Sequence, residues 1–113
     1  MNLFQQVDDR SIDTVIEETE ELIALEFTAA WCGPCRVLAP ILERLAAEYE
    51  GRLRVLSLDA DENPHTVTRF SVRGMPTIVF LREGLDVDRS IGAVPEKILR
   101  SRIDANLGGV ATE

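Results

Sequence analysis

Both cysteines of this chain lie in one short stretch, Trp31-Cys32-Gly33-Pro34-Cys35, between an apolar run and a long amphipathic pattern. A disulfide between Cys32 and Cys35 would close so small a loop that it would stabilise a fold by only about 2 kcal/mol. If a helix begins at Gly33 or Pro34, the Cys32 sulfur lies beside free backbone N–H groups, which favour the thiolate over the thiol. The spacing therefore predicts a redox-active pair with Cys32 as the nucleophile.

Two other roles are open to a Cys-x-x-Cys pair. A zinc site has the same spacing, but zinc needs further ligands, and a single His65 with no third cysteine supplies too few. The second alternative is a pair of buried structural cysteines. We predict no metal site, and we expect His65 to be a surface residue.

The rest of the chain alternates apolar runs with helical patterns. The apolar runs at 3–7, 22–27, 53–58, 77–81 and 87–91 predict five strands, and the patterns at 11–19, 34–49, 64–70 and 95–107 predict four helices. Gly84 marks a hairpin turn between the last two strands. The order β-α-β-α-β-α-β-β-α predicts an α/β fold with a mixed sheet between layers of helices.

Local signals refine these helices. Asp9 or Ser11 is the predicted N-cap of the first helix, and Asn63 that of the third. Pro40 lies inside the second helix and removes one backbone hydrogen bond, so a kink is expected near Arg36. A separate helix starting at Pro40 is the alternative.

Length and charge narrow the class of protein. The 113 residues are enough for one domain spanning 1–113, with 110–113 as a frayed tail. The net charge of −8 argues against nucleic-acid or anionic-membrane partners. The first residues lack the pattern of a secretory signal, and no apolar run reaches the length of a membrane span. We therefore expect a cytoplasmic protein in a reducing compartment.

The stretch from Trp31 to Cys35, followed by the basic Arg36, resembles the active-site signature of the thioredoxin family. The similarity runs from about Leu22 to Leu107 and includes Ala39-Pro40-Ile41-Leu42, Asp59 to Pro64, Arg73-Gly74-Met75-Pro76-Thr77 and Gly92-Ala93. It implies the thioredoxin fold, a central mixed five-stranded sheet flanked by four helices. It also implies a dithiol–disulfide oxidoreductase that reduces protein disulfides, in which Cys32 attacks and Cys35 resolves.

The same resemblance implies partners. No bound cofactor is expected beyond the redox-active Cys32–Cys35 disulfide. An NADPH-dependent flavoprotein reductase would regenerate the dithiol, with a ferredoxin-linked reductase as an alternative donor, and the chain would act as a monomer.

Glu26 is the one charged residue inside the second apolar run. The resemblance places it under the active site, where the family usually has an aspartate that accepts the proton of the resolving cysteine. The family's nearby lysine position is filled here by Ser57. Without that cation, burial should raise the pKa of Glu26. Our hypothesis makes Glu26 the general base for Cys35, and the alternative is a strand-end glutamate that reaches solvent.

The remaining site residues surround the cysteines. The resemblance implies a cis bond before Pro76, which would turn the Met75 backbone toward a substrate chain. Trp31 is predicted to be an exposed platform rather than core, Arg36 to be solvated, and Thr28 replaces an aromatic residue common in the family. The residues implied for redox tuning are Gly33 and Pro34, and those implied for substrate binding are Trp31, Gly74, Met75, Pro76, Gly92 and Ala93.

Two rival functions share the fold. One is a thiol oxidase or isomerase, against which stands Gly33-Pro34, typical of reducing members. The other is a non-catalytic binding or assembly module. Substitution of Cys32 separates the second from an enzyme, because an adaptor would keep its activity without that thiol.

Overall fold

A computed structural model describes residues 4–108 of the chain. Its nine elements are β1 (Phe4–Val7), α1 (Ile12–Glu18), β2 (Leu22–Thr28), α2 (Gly33–Glu48), β3 (Leu53–Asp59), α3 (Pro64–Arg69), β4 (Thr77–Arg82), β5 (Leu85–Ile91) and α4 (Glu96–Asn106). Their order is the predicted one. The predicted tail at 110–113 lies outside the described residues. Over 4–108, none of the helices combines the length and the apolar character needed to cross a membrane.

The five strands form one sheet in the order β1-β3-β2-β4-β5. The strands β1 and β2 both pair with β3 in parallel, whereas β4 is antiparallel to β2 and to β5. The predicted mixed five-stranded sheet with four helices is therefore confirmed. β2 lies at the centre, which explains why its sequence is apolar on both faces.

Helices cover the two faces of this sheet. On one face, Leu22 and Ala24 of β2 join a core cluster with residues of α2 and α4, among them Leu38, Leu42, Leu99 and Ile103. On the other face, Ile23, Leu25 and Phe27 join a cluster with residues from α1 and from the region of α3, among them Ile12, Ile16 and Phe70. Because side chains alternate along a strand, Glu26 belongs to the face that carries α2.

The second helix runs through its internal proline. α2 spans Gly33–Glu48 without interruption at Pro40, so the alternative of a separate helix starting there is wrong. The expected kink near Arg36 stays a prediction. Gly51, with φ of +89°, follows the helix and takes the left-handed conformation that glycine adopts readily.

Of the two residues predicted as N-cap of α1, Ser11 is confirmed in position, but its side chain makes no capping hydrogen bond. Instead, the Asp8 carboxylate accepts hydrogen bonds from the N–H groups of Arg10 and Ser11, at 3.1 and 2.9 Å. The polar turn predicted before α1 is present, with Asp8 as its acceptor.

The cap of α3 comes from a distant part of the chain. Asn63 occupies the N-cap position without a side-chain capping bond. Its amide instead accepts from the Asp9 N–H at 2.8 Å and donates to the Asp59 carbonyl at 2.9 Å. The Asp9 carboxylate accepts from the N–H groups of His65 and Thr66 and from the Thr66 hydroxyl, at 3.2, 2.9 and 2.6 Å. Asp9 therefore caps α3, not α1, because the β1–α1 loop lies against the start of α3.

Candidate active site

Cys32 and Cys35 are joined by a disulfide at the start of α2, with their Cα atoms 5.3 Å apart. Cys32 is the N-cap residue, and Pro34 lies in the first turn of the helix. The Cys32 Sγ accepts a hydrogen bond of 3.2 Å from the Cys35 N–H. The sulfur thus lies where the unpaired N–H groups and the positive end of the helix dipole stabilise negative charge.

The disulfide is almost completely covered. Cys32 and Cys35 are only 2% and 3% exposed, so burial alone does not distinguish the two sulfurs. They form a small apolar cluster with Ala29, against which the half-buried Met75 packs. We call Ala29, Cys32, Cys35 and Met75 the cysteine cluster.

Two hydrogen bonds hold the loop that precedes the disulfide. Trp31 is 63% exposed, which excludes the alternative that it belongs to the core. Its indole Nε1 donates to the Asp61 carboxylate at 2.8 Å. Arg36 is exposed as predicted, but its guanidinium also donates to the Ala30 carbonyl at 2.6 Å. Sequence reasoning missed both contacts, because neither partner belongs to a motif that would predict the pairing.

A second loop approaches the cysteines at the start of β4. The Met75–Pro76 peptide bond is cis. The Thr77 hydroxyl donates to the Gly74 carbonyl at 2.7 Å, and the Gly92 N–H donates to the Pro76 carbonyl at 2.8 Å. The structure thus brings Gly92 to Pro76, and it leaves Gly74 and Ala93 exposed beside them.

Glu26 is buried, and one of its carboxyl oxygens has no hydrogen-bond partner. Its side chain is 2% exposed, and its Oε2 atom accepts no hydrogen bond. Desolvation by burial raises the pKa of Glu26 to about 7, while the neighbouring Ser57 hydroxyl acts weakly in the opposite direction. The predicted rise in pKa is confirmed, and the alternative of a glutamate reaching solvent is wrong.

The sheet register places Glu26 near the start of α2. Glu26 pairs with Ser57 on β3 and with Ile78 on β4. It lies two residues before the end of β2, and α2 begins after the short segment 29–32. Because α2 packs over the face that carries Glu26, the carboxyl group lies on the same side of the sheet as this helix.

A polar groove opens beside the same row of residues. It has a volume of about 570 Å³ and is lined by Thr28, Ala29, Ala30, Ser57 and Asp59, among others. Thr28 and Asp59 form the pair above Glu26 and Ser57 in the sheet register, so the groove begins next to the buried carboxyl. Glu26 itself does not line the groove, but Ser57, its partner in the sheet, does.

Comparison with known proteins identifies the family. The family model described as Thioredoxin matches residues 4–105. The chain is 40% identical over 102 residues to the Staphylococcus aureus protein named "Thioredoxin", which covers 90% of this chain and 96% of that protein. It is 39% identical over 104 residues to "Thioredoxin M-type, chloroplastic" of Pisum sativum, covering 92% of this chain and 60% of the pea protein.

These matches extend over the whole sheet and both loops that meet at the disulfide. They confirm the resemblance that the sequence motif suggested. Together with the bonded Cys32–Cys35 pair, they identify the chemistry as thiol–disulfide exchange. The chain belongs to the thioredoxin family of dithiol–disulfide oxidoreductases.

Proposed function

We propose that this chain reduces disulfides in protein substrates, with Cys32 as the attacking sulfur and Cys35 as the resolving sulfur. In the dithiol state, the Cys32 thiolate attacks one sulfur of the substrate disulfide and releases the other as a thiolate. The Cys35 thiol then loses its proton and attacks the Cys32 sulfur of the mixed disulfide. This second step releases the reduced substrate and leaves the Cys32–Cys35 disulfide.

The position of Cys32 at the N-cap of α2 carries this assignment. Its Sγ accepts the Cys35 N–H hydrogen bond, and the same interaction would stabilise a thiolate on Cys32 after reduction. Cys35 lies inside the first turn, where its own N–H is used by that bond. The helix start therefore favours the charged form of Cys32 over that of Cys35.

Glu26 is our candidate for the proton acceptor of Cys35. Its burial on the face covered by α2 supports this role, as does an Oε2 atom without a competing donor. A pKa of about 7 means that the carboxyl can both take and give up a proton near neutral pH. The polar groove beside Ser57 would return that proton to solvent.

The exposed surface around the buried cysteines supports binding of an extended protein segment. Trp31 provides an exposed aromatic face on one side. On a second side lie the exposed Gly74 and Ala93 and the half-buried Met75 and Gly92, where the Gly92–Pro76 hydrogen bond joins the two loops around the buried Pro76. Gly33 and Pro34 are exposed at the start of α2, and we assign them to setting the reduction potential.

Further parts of the proposal concern the whole protein. We infer one domain, a monomeric state, and a flavoprotein thioredoxin reductase with NADPH as the electron source. A reducing compartment such as the cytoplasm suits a pair that must be returned to the dithiol. Light scattering on a sizing column tests the monomer, and NADPH oxidation in the presence of a purified reductase tests the donor.

Trapping of the mixed disulfide tests the roles of the two sulfurs. In a Cys35→Ser variant, Cys32 still attacks, but nothing resolves the product, so a covalent complex with a disulfide-bonded protein such as insulin should accumulate. The matched Cys32→Ser variant should form at least about tenfold less complex, because its remaining thiol lacks the N-cap position. Equal trapping by both variants, or trapping by Cys32→Ser alone, would contradict the assignment.

A further inference from the structure

Met75 is the one sulfur-bearing residue of the described chain that does not belong to the disulfide. The sequence contains two cysteines and two methionines, and Met1 lies outside the described residues. Met75 packs against the cluster that Ala29 forms with the two cysteines. It also packs against the core cluster on the α1 side of the sheet, and it is half-buried rather than enclosed. Met75 is therefore a neighbour of the disulfide that the fold does not fully enclose.

The disulfide state leaves Met75 as the oxidisable sulfur at this site. Cys32 and Cys35 carry no free thiol in that state, so a peroxide has no thiolate to attack. A thioether, in contrast, takes one oxygen atom from hydrogen peroxide and becomes a sulfoxide, with release of water. The sulfur is oxidised by two electrons, and the peroxide O–O bond is reduced and cleaved.

We propose that Met75 is a peroxide-oxidation site whose conversion to the sulfoxide slows disulfide exchange at Cys32. The inference rests on the proposed role of Cys32 as the attacking sulfur. The sulfoxide oxygen is a strong hydrogen-bond acceptor, whereas Met75 packs against an apolar cluster of Ala29 and the two cysteines. Burial of such a group is unfavourable, so the oxidised side chain turns toward solvent or orients its negative oxygen near Cys32.

Both orientations of the oxidised side chain slow the attack by Cys32. A negative dipole near Cys32 destabilises its thiolate, which is the attacking species. A side chain turned outward occupies the space next to Pro76 through which a substrate segment approaches. We expect the oxidised protein to attack a protein disulfide roughly fivefold more slowly, as one poorly solvated polar group would produce.

The test begins with the disulfide form of the full chain. It is treated with hydrogen peroxide, freed of peroxide, and reduced with dithiothreitol, which is then removed. Peptide mass mapping locates added oxygen, and stopped-flow fluorescence of Trp31 gives the rate constant for attack on insulin. A Met75→Leu variant, of similar side-chain volume, is the matched control, and each protein is compared with its own untreated sample.

The expected result is an added oxygen on Met75 and a roughly fivefold slower attack in the original protein, with the rate of the treated Met75→Leu variant unchanged by peroxide. An unmodified Met75 under conditions that oxidise free methionine would overturn the inference. So would an oxidised Met75 with an unchanged rate. If the untreated protein reduces insulin with full activity, either of these results contradicts only the role of Met75. If the untreated protein does not reduce insulin, the proposed function is contradicted as well.

Discussion

Trp31 and Asp61 are joined by a hydrogen bond of 2.8 Å between the indole Nε1 and a carboxylate oxygen, across thirty residues of sequence. The bond fixes the orientation of an aromatic ring that is otherwise 63% exposed. An exposed ring without such a bond would sample several rotamers, and a substrate would have to select one of them on binding.

Loss of this hydrogen bond should weaken substrate binding but should hardly slow the chemical step. In Asp61→Ala, we expect the KM for a protein disulfide to rise about threefold, as the loss of one hydrogen bond predicts, with kcat nearly unchanged. Trp31 is the only tryptophan, so its fluorescence anisotropy should fall at the same time. Asp61→Asn keeps an acceptor oxygen and is the matched control. A large fall in kcat with constant KM would mean that Asp61 acts on the reaction rather than on the ring.

Because the carboxyl of Glu26 is buried, the free energy of unfolding should fall as pH rises. The pKa of Glu26 is about 7 in the folded chain and 4.5 for the free group. Between pH 4.5 and about 7, the carboxyl is therefore protonated in the folded state and ionised in the unfolded state. The stability linked to this proton is present in full below pH 4.5 and is lost as pH rises through about 7, by roughly 3 kcal/mol in total. Urea unfolding of the disulfide form at pH 5 to 8 measures this loss.

The control for this measurement is Glu26→Gln, which is neutral throughout. Its free energy of unfolding should change less with pH than that of the original chain over the same interval. Parallel pH dependences in the two proteins would show that Glu26 is ionised in the fold at all of these values.

The proton role of Glu26 makes a separate prediction about rate. If the carboxylate accepts the Cys35 proton, Glu26→Gln should resolve the mixed disulfide at least about tenfold more slowly at pH 8, where the original carboxyl is ionised. The difference should shrink below pH 6, where both side chains are neutral. Rapid-mixing measurements of the resolving step test this, and identical pH profiles would refute the proton role.

The cap that Asp9 provides to α3 should matter for stability. Asp9→Ala removes the acceptor for two backbone N–H groups and the Thr66 hydroxyl, and we expect the Tm to fall by roughly 5 °C. The Thr66 side-chain bond lowers the pKa of Asp9, so its contribution is present above pH 3.8 and is lost as pH falls through the lower folded value. Glu17→Ala, which removes an exposed charge from α1, is a control for lost charge, and calorimetry should show a smaller effect for it.

The reduction potential separates the reductase from the oxidase or isomerase of the same fold. Equilibration with dithiothreitol buffers, followed by Trp31 fluorescence, should give a value more negative than roughly −260 mV, below the glutathione pool. A markedly more oxidising value would favour the oxidase or isomerase. It would also show that Glu26, Thr28 and Ser57, where this chain departs from the family pattern, have shifted the balance between the two states.

The sequence predicted those features that depend on local pattern. The alternation of apolar runs and helical stretches was sufficient for the element order, and the cysteine spacing was sufficient for the disulfide. The raised pKa of Glu26 was predicted from a charge inside an apolar run together with the family resemblance, which puts Ser57 where a lysine is usual. These signals lie within a few residues of the features that they predict.

Such local signals could not predict contacts between loops that are distant in sequence. Asn63 is a residue type typical of an N-cap, yet the capping oxygen of α3 comes from Asp9, more than fifty residues away. Asp61 and Arg36 hold the loop before Cys32 only because the ends of β2, β3 and α2 meet there. The packing of the loops decides which of several equally suitable polar residues is close enough to bond.

The hydrogen bond from Gly92 to Pro76 joins the entry of β4 to the exit of β5. These strands are also paired through Thr77 and Ile91, so the two loops are linked at two adjacent positions along the backbone. Trp31, next to Cys32 in sequence, is held by a side-chain hydrogen bond to Asp61. The substrate surface that we propose therefore has two walls held in different ways, one by paired backbone strands and the other by one side-chain hydrogen bond that orients the indole.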